Sequence, residues 1–233
     1  MIYDIAIVIS LERRKDRSNR VFKHLKERGI QNVYALPAFD GSKITPGIVK
    51  ITPPNRPYFS FKDELSRLPT NYLNRFQIGC TLSHISALKF AKMLKVNSVL
   101  IVEDDVEFVD NIFEVLTNLE KETSNLDWEH IYLGGAIRNI TQQKSVKISE
   151  HLIKPGFTDG LQAYLVKGDG FDKISNGMLS FKTTNDDALN DIMFREKNPL
   201  KAYMRIPKVA FQITDFSELD RRIIDRQDLR RNE

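Results

Sequence analysis

Val99-Leu100-Ile101-Val102 runs without a polar break straight into Glu103-Asp104-Asp105. An apolar run with no alternation reads as a strand buried on both faces. Such strands belong to sheets covered by helices on either side, so the chain is directed toward an α/β architecture. In open sheets of that kind, ligands gather beyond the carboxyl ends of the strands. Three adjoining carboxylates at that position repel one another unless a cation or cationic group stands between them. Carboxylate oxygen suits Mg²⁺ or Mn²⁺, ions that commonly accompany phosphate.

The rest of the chain supplies the elements such a sheet needs. Ile5–Ile9 is a second unbroken apolar strand. A helix carrying Val21, Phe22 and Leu25 follows, with Gly29 placed to stop it. Asn32–Leu36 then returns as a strand, giving a βαβ opening. Thr81–Leu94 reads as a helix, and Asn111 with Glu114 as a capping box for another. Strands are expected at His130–Leu133, Leu161–Val166 and Lys208–Gln212. Helices are expected over Phe171–Leu179 and from Asp186 or Asp187 onward. Between them, residues 42–76 hold five prolines and no clear period, which reads as a loop insertion over a site. These elements make one domain over residues 1–217. Residues 218–233 form a charged tail, read as a solvated terminal helix or frayed end, with a membrane-docking role as the alternative.

Composition excludes several classes. With 233 residues and 41% hydrophobic content, the chain can bury a full core. Its single cysteine, Cys80, excludes an intrachain disulfide and a cysteine cluster around a metal. No basic n-region, long h-region or membrane-length apolar run is present, so the expectation is a soluble cytoplasmic protein. A net charge of +4 fits phosphate ligands or loose association with an anionic membrane face. It gives no nucleic-acid motif, and no nucleic-acid partner is expected.

Four constellations could carry chemistry. Arg13, Arg14 and Arg17 follow the first strand, and guanidinium forks match phosphate oxygens. Arg13 and Arg17 would share a face if the turn were already helical, although a solvated helix start with Asp16 paired internally explains them equally. Glu103 and Asp105, separated by one residue on an extended segment, point the same way; a strand end paired with lysines is the alternative. Gly79-Cys80-Thr81-Leu82-Ser83-His84 allows close approach of a ligand, with His84 in reach of a phosphate or an acceptor; a buried structural histidine is the plainer explanation. Thr183-Thr184-Asn185-Asp186-Asp187 offers a carboxylate for general-base work, or simply a helix cap. There is no P-loop, Gly-x-Gly-x-x-Gly, Gly-x-Ser-x-Gly or His-Glu-x-x-His.

Taken together, the segments resemble glycosyltransferase family 25, which includes lipopolysaccharide and collagen galactosyltransferases. Ser10-Leu11-Glu12-Arg13-Arg14-Lys15-Asp16-Arg17 is similar to the family's Asn-Leu-x-x-Arg-x-Asp-Arg, with Ser10 in place of asparagine. Ala38-Phe39-Asp40-Gly41, Gly79–His84 and Glu103-Asp104-Asp105 match three further motifs, in order. Later segments match less sharply: Glu218 stands where the family has an aspartate, and residues 42–76 match no pattern. The resemblance implies a single GT-A type nucleotide-sugar-binding domain with a mixed, mainly parallel sheet flanked by helices. It implies a UDP-sugar donor, Mn²⁺ or Mg²⁺, inversion at the anomeric carbon, and galactose as the commonest sugar. The acceptor would be a glycan or lipid-linked oligosaccharide. Ser10, Leu11, Arg13, Arg14, Arg17, Asp40, Gly41, Ser83, His84, Glu103 and Asp104 would bind the donor. Asp105, supported by Asp104, would hold the metal. Asp187, with Asp186 second, is nominated as the base that takes the acceptor's proton. A catalytically silent relative that binds a nucleotide or a partner protein is the alternative.

Overall fold

The computed structural model describes residues 1–44, 73–138, 144–181 and 183–213, with the backbone of two short strands at 215–217 and 222–224. The opening is β1 (Ile5–Ser10), α1 (Lys15–Glu27) and β2 (Val33–Pro37). A single 3₁₀ turn, Gly41–Lys43, follows. Next come α2 (Arg75–Met93), β3 (Ser98–Glu103), β4 (Val106–Phe108), α3 (Ile112–Glu122) and β5 (His130–Tyr132). Short strands β6 (Ala136–Ile137), β7 (Val146–Lys147), β8 (Leu152–Lys154) and β9 (Thr158–Asp159) precede β10 (Ala163–Lys167). The chain continues through α4 (Gly170–Met178), α5 (Asn185–Phe194), β11 (Ala202–Arg205), β12 (Ala210–Gln212), β13 (Asp215–Ser217) and β14 (Arg222–Ile224).

Eight strands form the central sheet in the order β2-β1-β3-β10-β5-β11-β8-β7. β1 pairs in parallel with both β2 and β3, and β5 with β11. β10 runs antiparallel to β3 and β5, and β8 antiparallel to β11 and β7. Only β10 and β8 therefore oppose the common direction. The sheet is mixed and mainly parallel, as expected, with one reversed strand, β10, in the middle and the other, β8, next to an edge.

Alternation along each strand sorts the core into two layers. Ile5, Ile7, Ile9, Val99, Ile101, Tyr164 and Val166 pack on one face against α2, α4 and α5. Ala6, Val8, Leu100, Val102, Ile131 and Leu165 pack on the other against α1 and α3. Helices on both faces account for the unalternating apolar runs.

Four readings need correction. Helix α2 starts at Arg75, six residues before the expected start. Asn74 accepts from the amides of Phe76 and Gln77, and the Gln77 side chain accepts from the Asn74 amide. Asn74-x-x-Gln77 was the capping signal, and it trims the proline-rich insertion at its end; residues 45–72 lie outside the described residues. The box assigned to Asn111 and Glu114 does not form: Asn111, at φ −93° and ψ 24°, lacks the extended backbone of a cap residue and makes no side-chain cap bond. Arg13 precedes α1, so it shares no helical face with Arg17. The tail contains β14, paired antiparallel with β13, where a helix or frayed end was expected.

Candidate active site

The parallel pairing of β1 with β3 aligns Ile9 with Glu103 and sets their carboxyl ends side by side. A cleft opens there. Of the fourteen nominated residues, it is lined by eleven: Ser10, Leu11, Arg13, Arg17, Asp40 and Gly41 on one wall; Ser83, His84, Glu103, Asp104 and Asp105 on the other. Arg14 is outside this set and pairs with Asp16. Asp186 and Asp187 are outside it too.

The three acids after β3 divide their labour. Asp104 is buried, accepts the Ser10 hydroxyl at 2.6 Å and faces an Arg17 guanidinium nitrogen at 3.4 Å. Its carbonyl faces Arg20 at 3.4 Å. Burial raises its pKa even so. Asp104 thus ties β1, α1 and β3 together, its carboxylate engaged by Ser10 and Arg17. β3 ends at Glu103 and the chain turns at Asp104 and Asp105, yet Glu103 and Asp105 both meet one side chain. The Gln212 amide on β12 donates to Glu103 Oε2 at 3.3 Å and lies 3.5 Å from Asp105 Oδ1. Antiparallel pairing of β12 with β4 puts Gln212 opposite Val106, next to these acids. Two oxygen donors converging on one amide fit a hard divalent cation, so the donor set is compatible with Mn²⁺ or Mg²⁺ at Asp105 and Glu103.

The opposite wall is built on close backbone contact. A Cβ at Gly79 would lie 2.6 Å from the Phe39 carbonyl oxygen, and one at Gly41 would lie 2.5 Å from Phe76 Cα. Glycine at both positions lets α2 touch the 38–41 turn. Ser83 fastens the contact, accepting from the Phe39 amide at 2.8 Å and donating to the Gly79 carbonyl. Asp40 caps Ser42 and accepts Arg13 Nε at 3.0 Å. These bonds hold the Asp40 carboxyl at about 2, below its usual range despite partial burial. Phe39, 47% exposed, stands at the mouth with a bare ring face.

His84 is buried and does not reach outward for a phosphate. Its Nδ1 meets the Tyr164 hydroxyl at 2.9 Å, and its Nε2 meets Glu103 at 3.1 Å. It thus bridges Tyr164 and Glu103.

The acids at the start of α5 form a second cluster. Arg138 pairs with Asp159 and with Asp187, the latter at 2.7 Å. Asp186 accepts the Gly160 amide at 3.1 Å. Burial, aided by the charges of Asp159, Glu103 and Asp187, pushes its pKa up to about 7. Asn185, beside these acids, accepts the Thr81 hydroxyl at 2.6 Å and donates to Cys80 Sγ at 3.3 Å, which links the cluster to the cleft that Cys80 lines. Sequence reasoning missed Gln212, Tyr164, Arg138 and Phe39. Phe39 lay inside a quoted motif; the others carry no local signal, because only the strand pairings bring them to the site.

The cleft gathers arginines and carboxylates at the carboxyl ends of two parallel strands. The chain is a member of glycosyltransferase family 25: the family model described as glycosyltransferase family 25 (LPS biosynthesis protein) matches residues 4–179. Human procollagen galactosyltransferase 2 is 28% identical over 209 residues, covering 87% of this chain and 32% of its own. The mouse protein named inactive glycosyltransferase 25 family member 3 is 27% identical over 210 residues, covering 87% and 34%. The chain thus spans about a third of the length of the curated relatives it matches. Mouse xyloside xylosyltransferase 1 aligns with a TM-score of 0.45 at 8% identity, over 84% of this chain and 71% of that one; nothing about chemistry follows at that level. Among the described residues, no helix is long and apolar enough to cross a membrane.

Proposed function

We propose that this chain is the donor-binding, catalytic unit of an inverting, metal-dependent glycosyltransferase. It moves a sugar, galactose first among the candidates, from a UDP-sugar to a hydroxyl of a glycan or lipid-linked oligosaccharide in surface-glycan synthesis such as that of lipopolysaccharide. One observation carries the reading: Arg13, Asp40, Glu103 and Asp105 line a single cleft at the carboxyl ends of β1 and β3.

Arg13, 43% exposed at the rim, is the guanidinium placed to meet a diphosphate; Arg17 is committed to Asp104. The Phe39 ring offers a stacking surface to a nucleobase. Glu103, held by His84 and Gln212, faces a ribose hydroxyl as a fixed acceptor. Asp105 and Glu103 would hold a divalent cation, which would supply positive charge against that gathering on the leaving nucleotide. The sugar passes through an oxocarbenium-like state, and the attacking hydroxyl must lose its proton. Asp186 replaces Asp187 as first choice for that base. A pKa near 7 suits proton uptake at neutral pH, whereas the Asp187 carboxylate is engaged by Arg138 at 2.7 Å.

The decisive experiment screens UDP-galactose, UDP-glucose and UDP-N-acetylglucosamine by thermal shift and by donor hydrolysis, with and without Mn²⁺. One donor should raise the melting temperature and be slowly hydrolysed only with the ion. Absence of any donor response would overturn the reading. Binding with no hydrolysis or transfer would favour a catalytically silent module, a reading prompted by the relative named inactive.

A further inference from the structure

Cys80 and His84 stand four residues apart on α2, so they share one face of the helix. Glu103 approaches that face from the end of β3. A ligand atom from each lies within 4.8 Å of the other two, and His84 Nε2 is 3.1 Å from Glu103 Oε1. Sulfur, imidazole and carboxylate around one tetrahedral ion sit roughly 3.5 Å apart, a change reached by small side-chain rotations.

Each of the three is also held from behind. The Tyr164 hydroxyl meets His84 Nδ1 at 2.9 Å, the Asn185 amide donates to Cys80 Sγ at 3.3 Å, and the Gln212 amide donates to Glu103 Oε2 at 3.3 Å. Metal ligands are commonly aimed by such outer partners, which also fix the histidine tautomer. These supports come from three different elements, β10, α5 and β12. Burial and the charges of Glu103, Asp186 and Asp105 push the Cys80 thiol up. The same charges that oppose a bare thiolate attract a cation.

We propose that Cys80, His84 and Glu103 form a site for a borderline-soft divalent ion of the zinc class, with its fourth position open to the cleft. Binding exchanges the thiol proton for the ion, the proton leaves to solvent, and no oxidation state changes. Sulfur and imidazole make this site distinct in preference from the oxygen ligands given to the hard cation. Glu103 belongs to both, so zinc would antagonise donor binding; that consequence, unlike the site itself, rests on the donor reading.

Co²⁺ titrated into the full chain, without nucleotide, tests the site directly. The expected result is a strong sulfur-to-cobalt absorption in the near ultraviolet, displaced by Zn²⁺ and lost in Cys80→Ser. Tyr164→Phe keeps all three ligands and should weaken Co²⁺ binding about 10–100-fold. Should Cys80→Ser not fold, Glu103→Gln should keep the thiol and weaken binding at least as much. Cobalt that binds without the sulfur band, or no binding at all, overturns the proposal. No donor is present, so either result leaves the glycosyltransferase reading untouched.

Discussion

Ser10 donates its hydroxyl hydrogen to Asp104 across 2.6 Å, joining the carboxyl ends of β1 and β3. On the far side of the same carboxylate lies Arg17, itself only 6% exposed. Removing the acid takes a carboxylate from a buried guanidinium. Asp104→Ala should therefore cost about 3–5 kcal/mol, the usual penalty for breaking a buried pair from one side. Urea denaturation would measure it, and a loss under 1 kcal/mol would mean that Asp104 is not the brace described here.

Asp105 should behave in the opposite way. Asp105→Ala is expected to abolish sugar transfer while the folded chain keeps the wild-type circular dichroism and a melting temperature within a few degrees. Full turnover of that variant in chelator-treated buffer would remove Asp105 from the metal role.

At Gly79 the backbone of α2 meets the Phe39 carbonyl, which has no flexible end to give way. Gly79→Ala should destabilise the fold by about 1–3 kcal/mol, as overpacking does. It should also weaken donor binding, because the displaced turn carries Asp40 and, through it, Arg13. Calorimetric titration with the UDP-sugar would separate the two effects. Unchanged affinity would detach the turn from the donor.

Asp186 gives a pH signature. Its folded pKa, about 7, lies above the ordinary 3.8, so between those values the folded chain keeps a proton that the unfolded chain has released. Its contribution to stability is therefore greatest below pH 4, falls as pH rises toward 7, and is level beyond. The facing charges are Asp159, Glu103 and Asp187, with Arg138 beside two of them. Asp186→Asn should remove that slope from a stability–pH curve. As the proposed base, it should also lower transfer about 10²–10⁴-fold. An unchanged transfer rate would move the proton elsewhere.

Much of the frame was legible because physics writes it locally. Ile5–Ile9 and Val99–Val102 could only be doubly covered strands, and Gly29, at φ +75°, could only be a stop. The reversal of β10 was invisible: Ala163–Val166 is as apolar as its parallel neighbours, and direction leaves no mark on composition. The same division holds in the cleft. Residue types at 13, 40, 84 and 103–105 announced their chemistry. Their tasks did not, because Asp104 and Glu103 are adjacent in sequence and differ only in which side of the strand end each faces. Asn74-x-x-Gln77 was readable and went unread amid the prolines.

Ile44 and Leu73 sit in one small apolar cluster with Ile78, and the 41–43 turn abuts the first turn of α2. Ile44 and Leu73, 29 positions apart in the chain, are thus pinned side by side. The same pin steadies the turn that carries Asp40 against the helix that carries Ser83 and His84.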